Sequence, residues 1–402
     1  MPDGKPPLSP FVAGNLPEEL TWSDRPEEHV LATLPACPAV YLLLADARVP
    51  VQLATTQHLR RLAVARLLEA AESRSGRANV AEITRGIRWR RVFSAFEGRW
   101  WYYRLAREMY PKHYRRLISF GPAWFLSVDW AAPVPEIVVS ERIWQEPGEF
   151  VGPWPTHDTC QQALAGLWDL FELCRYPEQV RRAPAGQRCA YAEMGRCDAP
   201  CDGSVPLERY VERSRAAWEF ACGAVRPWID AAKQRMKQAA AEERFEHAAQ
   251  LKHQLAFAWK WHDRWLPVIR PAEDLNYLLA VPVTRRKAWK LFLFRRGSLT
   301  EGPICADRHL PTKAAGWLRG QWEREPELVE PVVRTGQTWL VAHFCQSKEG
   351  AASLVLPLGA RQPWEAMEDA LRQLVTARTT RASAAEAAVP SGDENAPPAV
   401  AS

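Results

Sequence analysis

The chain has 402 residues, of which 47% are apolar and 25% charged, and a formal net charge of +5. That length suits two or three compact domains, and the composition is that of a globular protein, which excludes wholesale disorder. A charge of +5 is too small to mark a nucleic-acid binder by itself, so local clusters have to decide. No run of about 18 uncharged apolar residues occurs, so no membrane-spanning helix is expected. The start, Met1-Pro2-Asp3-Gly4-Lys5-Pro6-Pro7, lacks the apolar stretch of a secretory leader, which points to a cytoplasmic protein. In that compartment nine cysteines read as thiols or metal ligands rather than disulfides. Tryptophan is the anomaly, with nineteen copies.

Residues 1–29 are rich in Pro, Asp and Glu and read as a flexible lead-in. Val40 to Leu44 and Val49 to Leu53 form a candidate hairpin. Leu59, Leu62, Ala63, Leu67 and Ala70 fit a helix, with Thr55 or Thr56 as its cap. Ile87, Trp89 and Phe93 lie near strand spacing, and Phe96 to Met109 returns to helical spacing until Pro111. Trp124–Val128 and Ile137–Val139 read as strands, which completes a small mixed domain over 30–150. A helix is expected over 157–174 and a cysteine-bearing region over 151–206. Residues 207–266 are almost wholly helical in pattern. A mixed β/α domain over 270–375 opens with a hairpin of Tyr277–Val281 and Trp289–Phe294. Trp339–Phe344 reads as strand or buried helix, Ser353–Leu356 as a strand, and 364–377 as a last helix. Residues 376–402 are Ala-, Ser-, Pro- and Glu-rich and read as a disordered tail.

Cys174, Cys189, Cys197 and Cys201 stand close together, three of them in a polar loop with Gly and Pro. Four thiolates on such a loop can close a tetrahedral zinc site or hold an iron–sulfur cluster such as 4Fe-4S, and spacing alone does not choose between them. Buried free thiols are the alternative. The other five cysteines read as core residues.

Four segments stand out in order: Leu34-Pro35-Ala36-Cys37-Pro38-Ala39-Val40-Tyr41 with His58-Leu59-Arg60-Arg61; Phe150-Val151-Gly152-Pro153-Trp154; Arg188-Cys189 to Pro200-Cys201; and Met236-Lys237-Gln238-Ala239-Ala240 with Phe245-Glu246-His247-Ala248-Ala249-Gln250-Leu251-Lys252. Together they resemble the UvrC-type subunit of the bacterial excinuclease, over about residues 30–300. The first resembles the start of its nuclease domain, the second its FGPY segment, the third its cysteine motif and the fourth its UVR motif. The resemblance implies an α/β multidomain protein: a small GIY-YIG-like α/β domain, a cysteine-rich metal loop, a helical UVR hairpin and a β-containing C-terminal domain.

The family's first domain cuts DNA with two tyrosines, an arginine and a metal-binding glutamate. Of these only Tyr41 keeps its residue; the other three positions fall at Gln52, Leu62 and Tyr102. Glu97 and Glu108 stand near the last position but out of register. With no carboxylate to fix a metal, the resemblance implies a catalytically inactive domain and no catalytic divalent metal. Residues 276–375 look like the β-rich segment before the family's second nuclease, and hold only Asp307 and Asp369 as aspartates.

A dead nuclease fold can still bind DNA. Between Arg85 and Arg116 ten Lys or Arg face two Glu and interleave with nine aromatics. Arg88, Arg90, Arg91, Arg99, Arg104, Arg107, Lys112, Arg115 and Arg116, with Arg60 and Arg61 before them, make a candidate nucleic-acid face. The alternative is a core of aromatics covered by arginine stems.

In the UVR-like segment the apolar stripes break around Glu242-Glu243-Arg244, as in a helical hairpin. The resemblance implies that Met236, Ala240, Phe245, Glu246, Ala249 and Leu251 dock on a UvrB-like partner. Three functions stand open. One is an inactive UvrC-like protein that binds DNA and a UvrB-like partner in nucleotide excision repair. The second is an active endonuclease of that family. The third is a UVR-bearing adaptor with no DNA role.

Overall fold

Among the described residues, three four-stranded antiparallel sheets organise the protein. The structure, a computed structural model, describes residues 8–68, 80–266, 268–284, 287–325, 329–359, 367–373 and 375–376.

The first sheet grows from α1 (Pro10–Asn15), β1 (Glu18–Thr21), α2 (Glu28–Ala32), β2 (Ala39–Leu44), β3 (Pro50–Thr56), α3 (Leu59–Leu67), α4 (Val80–Ile83), β4 (Gly86–Arg91), α5 (Ala95–Met109) and α6 (Tyr114–Leu117), with strand order β1-β4-β2-β3. Every residue of β2 is buried, because both faces of the sheet are covered. Ala39, Tyr41 and Leu43 pack with Leu59, Ala63 and Leu67 of α3. Val40, Leu42 and Leu44 pack with Phe96, Trp100 and Trp101 of α5.

Two expectations are corrected here. Residues 8–29 of the lead-in are structured: Ser9 caps α1, Val12 and Leu16 are buried against α5, and β1 pairs with β4. Their elements are too short to show a period, and their Pro and Glu content masked them. The cap of α3 is His58, while Thr56 lies in β3 and accepts the His58 amide at 3.1 Å. Ala70, expected in the same helix, lies outside the described residues.

The second sheet contains β5 (Trp124–Val128), β6 (Val138–Ser140) and β7 (Glu149–Trp154). The helices α7 (His157–Phe171), α8 (Pro177–Val180), α9 (Ala190–Glu193), α10 (Leu207–Ala221), α11 (Val225–Ala241) and α12 (Phe245–Lys260) follow, and β8 (Arg270–Pro271) returns to pair with β7. The break between α11 and α12 falls at Glu242-Glu243-Arg244, with Glu243 at φ 57°. The base of this hairpin docks on α7 at Gly166, where a Cβ would stand 1.9 Å from the Phe257 ring. Only glycine admits that ring.

The third sheet holds β9 (Asn276–Pro282), β10 (Ala288–Arg295), β11 (Ser298–Ala306) and, after α13 (Leu310–Trp322), α14 (Pro331–Cys345) and α15 (Lys348–Ala351), β12 (Leu354–Pro357), in the order β11-β10-β9-β12. Leu278, Ala280, Leu291 and Leu293 pack with Leu310, Ala314 and Leu318 of α13. Leu279, Val281, Phe292 and Phe294 pack with Trp339, Leu340 and Phe344 of α14. The segment Trp339–Phe344 is thus buried helix. Residues 367–373 are helical, and the rest of the expected tail beyond 376 lies outside the described residues.

The first and third sheets share one core. Phe96 of α5 meets Phe292 at 5.1 Å and Phe344 at 4.3 Å between ring centroids. α14 passes so close to α5 that a Cβ on Gly336 would stand 2.1 Å from the Tyr103 hydroxyl. The segments 30–150 and 270–375 therefore share a core through α5 and α14, while the other face of each sheet keeps a core of its own. Among the described residues no helix is long and apolar enough to cross a membrane.

Candidate nuclease remnant, cysteine centre and basic surfaces

Tyr41 sits mid-strand in β2 and is fully buried. Among the described residues its hydroxyl has no hydrogen-bond partner, and burial raises its pKa above the ordinary phenol value against the pull of the nearby Arg66. Arg66 also donates to the Gln52 side chain. The structure therefore brings together Tyr41, Gln52 and Arg66. Leu62 stands one helical turn before Arg66 and packs beside the same cluster as Tyr41. Arg66 escaped the sequence reading; the signal was its i+4 spacing from Leu62 on one helix face.

The carboxylate does not join them. Tyr102 is half-buried in α5, which covers the opposite face of the sheet from Tyr41. Glu97, on the same helix, is 1% exposed and accepts the Phe93 amide at 2.7 Å. Burial pushes its carboxyl up to about 7, opposed by the Phe93 bond and by Lys290 and Arg90. Lys290 lies 2.7 Å and Arg90 3.2 Å from Glu301 of β11. Glu108 is exposed near the end of α5.

Most of the arginine-rich stretch is spent inside the molecule. Arg88 pairs with Glu19 at 3.5 Å, Arg99 with Glu349 at 2.6 Å, Arg107 with Glu330, and Arg115 with Glu141 at 3.1 Å. Arg104 lies over Phe11, Trp100 and Trp101, and Arg91 over Phe93. Arg60 donates to the Leu34 carbonyl at 2.7 Å. Arg61, Lys112 and Arg116 are exposed.

Of the four cysteines, Cys174, Cys197 and Cys201 are buried and Cys189, the N-cap of α9, is partly exposed. Cys174 and Cys197 share a hydrogen bond, which pushes the Cys174 thiol up and holds Cys197 below the ordinary thiol range. Cys201 lies within electrostatic reach of both, and burial raises it. Backbone amides donate to sulfur: Tyr176 to Cys174 at 3.4 Å, and Ala199 to Cys197. Amide donors of this kind favour thiolate and tune metal-bound sulfur. Cys174 thus lies within reach of Cys197 and Cys201, and Cys189 opens the loop that carries those two. Among the described residues no three donors stand in ligating geometry.

At the tip of the α11–α12 hairpin, Phe245 is 68% exposed. Ala240, Glu246 and Ala249 are exposed and Met236 is half-buried. Leu251 is 3% exposed, so it packs within the hairpin and is not on an open face.

Residues 123–220, which carry β5 to α10 and all four clustered cysteines, match the family described as UvrC/Cho excinuclease, middle domain. The UvrABC system protein C of Geobacter metallireducens is 31% identical over 127 residues, 31% of this chain and 20% of that protein. That of Moorella thermoacetica is 28% identical over 200 residues, 49% of this chain and 31% of the relative. That of a Thermus thermophilus strain is 30% identical over 126 residues, covering 31% of this chain and 21% of the relative. The matches thus span between a fifth and a third of these relatives. No solved structure matches. The chain is similar to UvrC-type excinuclease subunits, and residues 123–220 are the part that matches their middle domain.

Proposed function

We propose that this chain is a catalytically inactive UvrC-like protein that binds DNA and a UvrB-like partner in nucleotide excision repair. The observation that carries the inactive reading is the separation of Tyr41 from any carboxylate of α5: the tyrosine faces α3, and α5 lies across the sheet. A metal held by Glu97 would sit on the wrong side of the sheet to serve Tyr41. One observation favours a working endonuclease instead, the approach of Arg66 to Tyr41. A nicking assay decides. Protein is mixed with damaged duplex and Mg²⁺ or Mn²⁺, with and without a UvrB-type partner, and binding is recorded in the same samples. Binding without incision is expected. Incision that vanishes in Tyr41→Phe overturns the inactive reading.

Cys174, Cys189, Cys197 and Cys201 are proposed to hold an iron–sulfur cluster or zinc. The all-sulfur donor set and the amide-to-sulfur hydrogen bonds fit either group. When bound, the group would cross-link the loop to the end of α7. Protein purified without oxygen should be brown, or colourless with bound zinc; a folded, colourless, metal-free protein rejects the site.

The hairpin is proposed to dock the UvrB-like partner through its tip. An exposed phenylalanine, with Ala240 and Ala241 before the turn and Ala248 and Ala249 after it, is the kind of anchor that helix-on-helix docking uses. Phe245→Ala should abolish co-purification with the partner, and unchanged binding would reject the tip. Retained partner binding with no DNA affinity in any form would favour the adaptor reading.

A further inference from the structure

We propose that the outer face of the α11–α12 hairpin, built from Arg226, Lys233, Lys237 and Lys252 around Trp259, is the surface that binds the phosphate backbone of a nucleic acid. The inference rests on the reading of the chain as a DNA-associated protein and names the face that makes the contact.

The two helices carry six Lys or Arg and two Asp or Glu. Among the described residues none of the six cations forms an ion pair with a carboxylate. Four of the six associate with indoles instead. The Arg226 guanidinium and the Lys233 ammonium each lie 4.9 Å from the centroid of Trp259. Arg235 lies over Trp228 and Lys260 over Trp265. An indole face attracts a cation without neutralising it. Arg226 also donates through Nε to His262 at 3.3 Å, which fixes the guanidinium and leaves its terminal nitrogens for an anion. Trp259 therefore holds two positive charges in place for a negatively charged ligand.

The spacing makes this a stripe. Arg226, Lys233 and Lys237 fall on one face of α11, about 10 Å and then about 6 Å apart along the axis. Lys252 is two turns before Trp259 on α12 and shares its face. From Arg226 to Lys237 the stripe is roughly 16 Å long, enough to follow about five nucleotides of a B-form strand. The acids beside it are Asp230, one turn from Arg226, and Asp263, which is held by His262 at 2.7 Å. A row of four cations without carboxylate partners complements a polyanion of regular charge better than a folded acidic protein.

The test is DNA binding by the full chain as a function of salt, with a labelled single strand and the matching duplex as probes. The combined variant Arg226→Gln, Lys233→Gln, Lys237→Gln should weaken binding about tenfold or more and lower the log–log salt slope by about two on the single strand and about three on the duplex. The charge-preserving variant Arg226→Lys, Lys233→Arg, Lys237→Arg should bind within about threefold of the parent, which separates charge from folding. Arg61→Gln, Lys112→Gln, Arg116→Gln serves as the reference set on the other basic region. Parent protein that binds DNA with an unchanged slope in the first variant overturns this inference alone. Parent protein that binds neither probe overturns the DNA reading and this inference with it. Loss of partner co-purification with DNA binding intact also overturns it, and assigns the face to an acidic protein surface.

Discussion

The stretch from Arg85 to Arg116 and the α11–α12 hairpin look alike in composition, since both mix arginine or lysine with aromatic rings. They are used in opposite ways. In the first, Arg90, Arg99 and Arg107 reach Glu301, Glu349 and Glu330, carboxylates that come more than two hundred residues later in the chain. In the second, Arg226, Lys233, Arg235 and Lys260 lean on Trp228, Trp259 and Trp265, and among the described residues no carboxylate pairs with any of the six cations. The difference teaches that a basic, aromatic sequence is not by itself a binding surface. What decides is where the acids of the rest of the chain are delivered by the fold.

That contrast can be broken at several points. The largest effect is expected at Glu301, which neutralises both Arg90 and the buried Lys290. Glu301→Ala leaves that lysine without its counter-charge and should cost about 3 kcal/mol in urea unfolding. A second test uses pH. The carboxyl of Glu97 is raised to about 7 by burial, so the folded state holds its proton more tightly than the unfolded chain. Its contribution is fully present below the ordinary carboxylate range and is lost as pH climbs toward about 7. Glu97→Gln keeps an acceptor for the Phe93 amide, so it should flatten the fall in stability over that window and leave the variant more stable than the parent at pH 8. An unchanged slope would show that Glu97 titrates normally. Next comes Glu349, which accepts both the Phe96 amide at 2.8 Å and Arg99. Glu349→Ala should lower stability by about 1–2 kcal/mol. Smallest is the hairpin: neutralising Arg226, Lys233 and Lys237 should change stability by less than about 0.5 kcal/mol. A large loss there would mean that these cations, too, are structural.

Several of these features were legible in the sequence, and the reasons are local. α5 shows a clean helical period with a cap at Ser94, and the hairpin break announces itself in Glu242-Glu243-Arg244. β2 and β3 were visible as apolar runs around a polar turn. The fate of the arginines was not legible, because Glu301, Glu330 and Glu349 are remote in sequence and nothing local marks them as partners. The approach of Arg66 to Tyr41 was missed because an alignment by spacing placed the family arginine at Leu62. The burial of Glu97 was hidden for a similar reason, since it depends on the third sheet closing over α5. Spacing pointed to four cysteines, and the fold brings Cys174, from the segment after α7, within electrostatic reach of Cys197 and Cys201 in the loop.

The core that α5 shares with α14 also has a consequence for synthesis. One face of the first sheet is ready once Met109 has left the ribosome, yet Phe96 and Trp100 wait for Phe292 and Phe344. At ordinary elongation rates that interval is roughly 10–50 s. During it those rings have only their first-sheet neighbours, Val40, Leu42 and Leu44, and the side that α14 and the third sheet later cover stays in water. A product that ends before the third sheet is therefore expected to expose that aromatic side and to aggregate more readily than the full chain.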